Sequence, residues 1–416
     1  MATIKSITAR QILNAKGNPA VEATIMLQNG LLVSASTPSG TSVSSYEAKE
    51  IHDEDKLHFR GQGVKKAVAT ISTTISEKLT GMDVTKQQEI DETLLSLDGT
   101  PDKHILGANA LLPVSLAVAR AAALSEGLQL YDYLSRITKT QIKRLPTPLF
   151  NEINGGKHAL GSLDFQEFML VPATSQTFSQ SLEMGVAVYH NLASILTTNN
   201  LSTLVGDEGG FSPKLESNHH GFSLLVEAAE SAGVRLGFDA FLGLDAASAS
   251  FFKDGKYYLR DKPTSLSSSQ MVEYYAKLKD EFPLLYIEDG LAEDDWAGWK
   301  ELMSALSGQL MIVGDDNVST NPYRLALALE QKAITAVIIK PNQIGTLTET
   351  LSVVKSAQEN HLKVIVSHRS GETDDDFIAD LAVAVQAEYC KFGAPARGER
   401  VAKYNRLLAI EKLLTK

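Results

Sequence analysis

The chain has 416 residues, 44% hydrophobic and 21% charged, which is an ordinary globular composition with length for two or three domains, or for one barrel plus an added unit. Its net charge of −11, with no basic stretch to offset it, argues against nucleic acid as a partner. The single cysteine, Cys390, excludes an internal disulfide and fits a reducing, cytoplasmic setting. No run of 18 apolar residues is expected to span a membrane, and the start, Met1-Ala2-Thr3-Ile4-Lys5, lacks the apolar core of a signal peptide.

Three strand-like runs open the chain, at 4–13, 19–28 and 31–36. Asn14 to Pro19 breaks the first pair, and Asn29-Gly30 is a strong hairpin signal for the second. Helical periodicity follows near 62–79, 84–96, 107–126 and 129–137; Leu111, Leu112, Val114, Val118 and Ala119 give the third helix one apolar face. Residues 1–138 therefore read as an α+β unit, a meander followed by helices. The stretch Thr140 to Pro148 reads as the linker to a second unit, 139–416.

In that second unit short apolar runs alternate with longer helical ones, and the runs end on ionisable residues. They are Leu204 to Glu208, Leu242 to Asp245, Leu285 to Asp289, Met311 to Asp316, Val337 to Lys340 and Val364 to Arg369. From Asp245 onward the spacings are 43, 27, 25 and 28 residues, near the roughly 30 that a strand, a crossover helix and two loops require. That is the rhythm of a β/α barrel with parallel strands buried on both faces. Its active-site mouth lies at the strand C-termini.

Asp245, Glu288 and Asp315 end three successive strands, and three crowded carboxylates need positive charge among them. An all-oxygen set suits Mg²⁺ and disfavours zinc. Lys340, beside metal ions, would have its ammonium form disfavoured and so serve as a general base. Glu208, within Gly206-Asp207-Glu208-Gly209-Gly210, could hold a proton for a leaving hydroxyl. His368-Arg369-Ser370 and Lys391 supply donors and a grip for phosphate. Gly155-Gly156-Lys157-His158 and Ser39-Gly40-Thr41-Ser42 read as small-residue loops able to close over a ligand.

These stretches carry a family resemblance. Together with Ala9-Arg10-Gln11-Ile12-Leu13, Gln166-Glu167-Phe168-Met169, Asn342-Gln343-Ile344-Gly345-Thr346, Ser367 to Thr373 and Arg400-Val401-Ala402-Lys403-Tyr404-Asn405, they make the chain resemble enolase over essentially its whole length. The resemblance implies an enolase-type α/β barrel with an N-terminal capping domain, and reversible dehydration of 2-phosphoglycerate to phosphoenolpyruvate with two Mg²⁺ per site. Asp245, Glu288 and Asp315 would bind the first ion and Ser42 the second. Lys340 would take the C2 proton, Glu208 would protonate the departing hydroxyl, and Glu167 would support Glu208. His158, Gln166, His368, Arg369, Ser370 and Lys391 would touch substrate. Two divalent cations against three carboxylates leave a positive field where enolate charge develops.

The resemblance further implies a homodimer or an assembly of dimers, with Lys16 and Glu22 in the stretch that forms the subunit contact. It also implies plasminogen as a secondary partner through Lys416, with a cell-surface or secreted pool. The sequence departs from the family pattern at Asn14, Lys16, Val43, Ser44, Leu160, Ser250, Gly290 and Phe392. Two other readings remain open: a barrel dehydratase for unphosphorylated acids, against which Arg369-Ser370 speaks, and an enolase-fold protein kept mainly for binding.

Overall fold

The computed structural model describes residues 2–40, 44–159, 161 and 163–415. Ser42, Val43, Leu160 and Lys416 lie outside the described residues. β1 (Ile4–Leu13), β2 (Pro19–Leu27) and β3 (Leu32–Ser36) form the antiparallel meander. Asn14 ties its first turn, its Oδ1 accepting the backbone N–H of Lys16 (2.9 Å) and Asn18 (3.0 Å). Gly17, at φ +70°, takes the left-handed position there. Val21, Ala23, Ile25 and Leu27 are buried on the sheet face that meets the helix Ala108–Ser125, whose many alanines allow close approach.

By length and composition alone that helix could cross a membrane. Its position gives the reason for its composition. Nearly every residue of it is buried, with the meander on one side and the helix Leu130–Thr138 on another, so it is the core helix of the N-terminal unit.

Eight strands close the barrel, in chain order round the ring: β4 (Thr147–Asn154), β5 (Glu167–Pro172), β6 (Ala240–Asp245), β7 (Leu284–Glu288), β8 (Met311–Gly314), β9 (Ala336–Ile339), β10 (Lys363–Ser367) and β11 (Tyr389–Gly393). Leu149, Met169, Val171, Tyr286, Ile338 and Ile365 belong to the apolar cluster that fills the barrel beneath the mouth. The long interval between Asp245 and Glu288 holds an extra hairpin, Phe252–Lys253 with Lys256–Tyr257.

Three sequence expectations are corrected. The run Leu204-Val205 is not a barrel strand: it makes one isolated bridge, to Phe211, and Leu204 is 76% exposed. A barrel strand must be covered on both faces, and this segment instead folds as a loop closed by a bond from Gly206 N–H to the Gly210 carbonyl, 2.8 Å. The sheet is not wholly parallel, because β5 runs antiparallel to both β4 and β6. Finally, Pro148 is the second residue of β4, so the linker ends before it.

The N-terminal unit is fastened to the mouth. Arg120 donates to Asp375 (2.8 and 2.9 Å) and Asp376 (2.7 Å), and Ser39 bridges Gly371.

Candidate active site

The reversal at β5 explains how Glu167 reaches the site. The other seven strands run parallel and bring their C-terminal ends to the mouth region; β5 brings its first residue. Glu167 therefore pairs in register with Asn154 at the end of β4 and Asp245 at the end of β6. Within one cleft the structure gathers His158, Gln166, Glu167, Glu208, Asp245, Asp315, Lys340, His368, Arg369, Ser370 and Lys391. Glu288 lies just beneath, fully buried, and accepts the hydroxyl proton of Tyr286.

The expected acidic triad is cross-linked by lysines. Lys391 Nζ lies 3.1 Å from Asp245, 2.9 Å from Glu288 and 3.1 Å from Glu167, while Lys340 Nζ is paired with Asp315. Gln166 and Gln343 donate side-chain N–H bonds of 3.3 Å to Asp245 and Asp315. Burial, then the charge of Asp245, pushes Glu288 up to about 8. Such a carboxylate set, rich in oxygen and strained by like charge, fits a hard divalent cation. The tightest acidic grouping, however, is Asp289, Asp315 and Asp316, with ligand atoms within 4.8 Å of one another. Asp289 is committed to the backbone, accepting the N–H groups of Asp315 (3.0 Å) and Asp316 (2.9 Å). It therefore shapes the turn that aims Asp315.

The neighbours of Lys340 and Glu208 set their protonation. Burial lowers the pKa of Lys340, but the Asp315 carboxylate outweighs it, so the ammonium is favoured. A neutral Lys340 requires the Asp315 charge to be engaged elsewhere. For Glu208, burial is outweighed by His158 and then His368, holding the carboxyl well below its usual range. Burial, opposed by Glu208, takes His368 down to about 3. We therefore assign His368 as neutral, and it aids Glu208 through a ring N–H dipole. Burial, then the charge of Glu208, raises Glu167 well above its usual range, so of the two carboxyls Glu167 is the one whose protonated form is favoured.

Glu208 lies on the loop, not on a strand, and is aimed by its neighbours. Asn151 Nδ2 donates to it at 3.0 Å, and ring nitrogens of His158 and His368 each approach to 3.5 Å. His158 follows a turn held by two backbone bonds. Gly155 N–H bonds Gln166 O and Gly156 N–H bonds Leu163 O, both at 2.9 Å, and a Cβ on Gly155 would sit 2.3 Å from the Phe165 carbonyl. Arg369 is forked onto Glu47, at 2.8 and 3.1 Å. Glu47, Asn151, Asp289 and Asp316 were not anticipated as site residues. Asp289 and Asp316 stood beside predicted ligands in the sequence, whereas Glu47 carried no local signal.

A barrel whose strand ends converge on carboxylates, two buried lysines and a histidine-flanked carboxyl pair defines a β/α-barrel protein with an acid–base site at its mouth. The family comparison is specific: the enolase N-terminal domain matches residues 4–134, and the enolase C-terminal TIM barrel domain matches residues 142–416. The chain belongs to the enolase family.

Proposed function

We propose that this protein is a hydro-lyase that interconverts 2-phosphoglycerate and phosphoenolpyruvate. The observation that carries the reading is that Lys340 and the carboxyls Glu167 and Glu208 line one cleft together with Asp245 and Asp315. β9, which Lys340 directly follows, stands four strands from β5, which begins at Glu167, in a ring of eight. In this reading Lys340 receives the C2 proton, and the Glu167–Glu208 pair delivers a proton to the leaving hydroxyl on the other side. Lys391, Arg369, Ser370, His158 and Gln166 bind and orient the anionic substrate. Asp245, Glu288 and Asp315 would hold Mg²⁺, with Ser42 serving a second ion. Bound there, Mg²⁺ supplies positive charge to the substrate carboxylate and engages the Asp315 charge that otherwise keeps Lys340 protonated.

Arg369 and Ser370 favour a phosphorylated substrate over an unphosphorylated acid, because a buried guanidinium rewards a bidentate anion. The test is phosphoenolpyruvate formation, followed by absorbance, with and without Mg²⁺. Mg²⁺-dependent absorbance growth is expected; its absence at high enzyme concentration sinks the reading. A dimer is proposed as well. Within the chain Arg10 already pairs with Glu22 at 2.6 Å and Lys16 with Asp207, so the contact would have to use or exchange those pairs. Sedimentation at micromolar concentration decides it.

A further inference from the structure

Arg400 stands on the helix Gly398–Leu414, outside the barrel, yet it is fully buried. Its Nη1 lies 2.6 Å from His368 Nδ1 and donates to the Arg369 carbonyl at 2.6 Å; its Nη2 donates to the carbonyls of Ser370 (2.7 Å) and Asp207 (3.1 Å). These acceptors belong to two segments only: the loop carrying Glu208 and the loop carrying His368, Arg369 and Ser370.

A guanidinium has donors but no acceptor, and it does not deprotonate in proteins. His368 Nδ1 must therefore present its lone pair to Arg400, and the neutral ring carries its proton on Nε2. Nε2 is buried, has no hydrogen-bond partner among the described residues, and lies 3.5 Å from Glu208 Oε1. We infer that Arg400 is a positioning residue that fixes His368 as its Nε2–H tautomer and ties the Glu208 loop to the 368–370 loop.

Packing at Gly393 supports the arrangement independently. A Cβ there would meet the Glu208 carbonyl at 2.7 Å, Arg400 Cδ at 3.0 Å and His368 Cε1 at 3.0 Å, and its φ is +92°. Only glycine lets these three residues close on one another. The Glu208 carbonyl also accepts the Ala394 N–H at 3.0 Å, and Tyr404 donates to the Gly393 carbonyl at 2.6 Å. The consequence for chemistry is directional. With Nδ1 covered and Nε2 protonated, His368 is a hydrogen-bond donor toward Glu208 and has no free lone pair to take a substrate proton.

The role assigned to this tautomer rests on the proposed dehydration, whereas the tautomer itself does not. Long-range proton–nitrogen spectra of the histidine rings, with His368 identified by difference from His368→Asn, read it directly in the wild-type protein. A neutral Nε2–H ring that does not titrate between about pH 5.5 and 8.5 is expected, since burial already holds His368 low. In Arg400→Met the ring should show mixed tautomers, and dehydration should fall about 100-fold, the scale of a misplaced catalytic group. C2-proton exchange should fall far less. Arg400→Lys keeps a donor on Nδ1 but cannot span both loops, so it should retain the tautomer while losing rate. A wild-type ring protonated on Nδ1, or Arg400→Met with unchanged tautomer and dehydration rate, overturns the inference. Should Arg400→Met fail to fold, the wild-type spectrum and Arg400→Lys still decide. Should the wild type not dehydrate 2-phosphoglycerate, the functional reading falls while the ring spectrum still judges this one.

Discussion

Arg369 holds the Glu47 carboxylate through both terminal nitrogens, Nη1 to Oε2 at 2.8 Å and Nη2 to Oε1 at 3.1 Å, joining barrel to N-terminal unit across the mouth. Both side chains are 4% exposed. Burial alone would disfavour the Arg369 charge, but Glu47 more than restores it. Removing one partner of a buried pair strands the other. Glu47→Gln should therefore destabilise the protein by about 3–5 kcal/mol, read from urea unfolding. Inorganic phosphate should stabilise the variant more than the wild type, because it offers Arg369 the anion it has lost. Equal stabilisation of both proteins would separate Arg369 from phosphate recognition.

The raised carboxyls give a signed pH dependence for protein treated with chelator. Glu288 is pushed up to about 8 and Asp316 to about 7, in each case by burial first. The folded protein then binds more protons than the unfolded chain between the ordinary carboxyl range and these values, so stability falls as pH rises through that window. The thermal midpoint of metal-free protein should drop from about pH 6 to pH 8, and Mg²⁺ should flatten the slope by favouring the ionised carboxylates. A slope indifferent to Mg²⁺ would place the cation elsewhere.

Ser44 ties its segment to the barrel beside the mouth. Its Oγ donates to Glu293 at 2.8 Å and to the Asp316 carbonyl at 3.2 Å, and its N–H bonds Glu47. Ser44→Gly removes the side-chain bonds and adds backbone freedom. Substrate KM should rise several-fold and kcat should change with it, as expected for a closure step. Unchanged steady-state constants would show that this segment does not gate turnover.

The legible parts of the chain were those encoded locally. Alternation marked the meander, and polar residues ending apolar runs marked Asp245, Glu288, Asp315, Lys340 and His368 at the mouth. What was not legible depends on partners distant in sequence. The antiparallel course of β5 has no local signature, since Glu167 to Pro172 is buried on both faces like its parallel neighbours. Leu204-Val205 imitates a barrel strand because periodicity in so short a run cannot report cover. Glu47 meets Arg369 across 322 positions, and Arg400 meets His368 across 32. The protonation of Lys340 and Glu208 likewise follows from neighbours that only folding supplies.

The two proton-transfer groups should be separable by isotope exchange. Lys340→Ala removes the only amine proposed to receive the C2 proton, so exchange of that proton with solvent deuterium should be lost along with turnover. His368 cannot replace it, because Arg400 covers one ring nitrogen and the other already carries a proton. Glu208→Gln behaves differently. The amide keeps the bulk of the side chain next to Asn151, His158 and His368, and it leaves Lys340 and the three strand-end carboxylates untouched. It has no proton to pass to a leaving hydroxyl. Glu208→Gln should therefore retain C2 exchange while losing dehydration. Each variant should lose about 10²–10⁴-fold or more in overall rate, the range for a positioned acid or base. Near wild-type C2 exchange in Lys340→Ala would overturn the role of Lys340. Loss of exchange in Glu208→Gln equal to its loss of dehydration would show that abstraction and departure are not separate steps on opposite sides of the cleft.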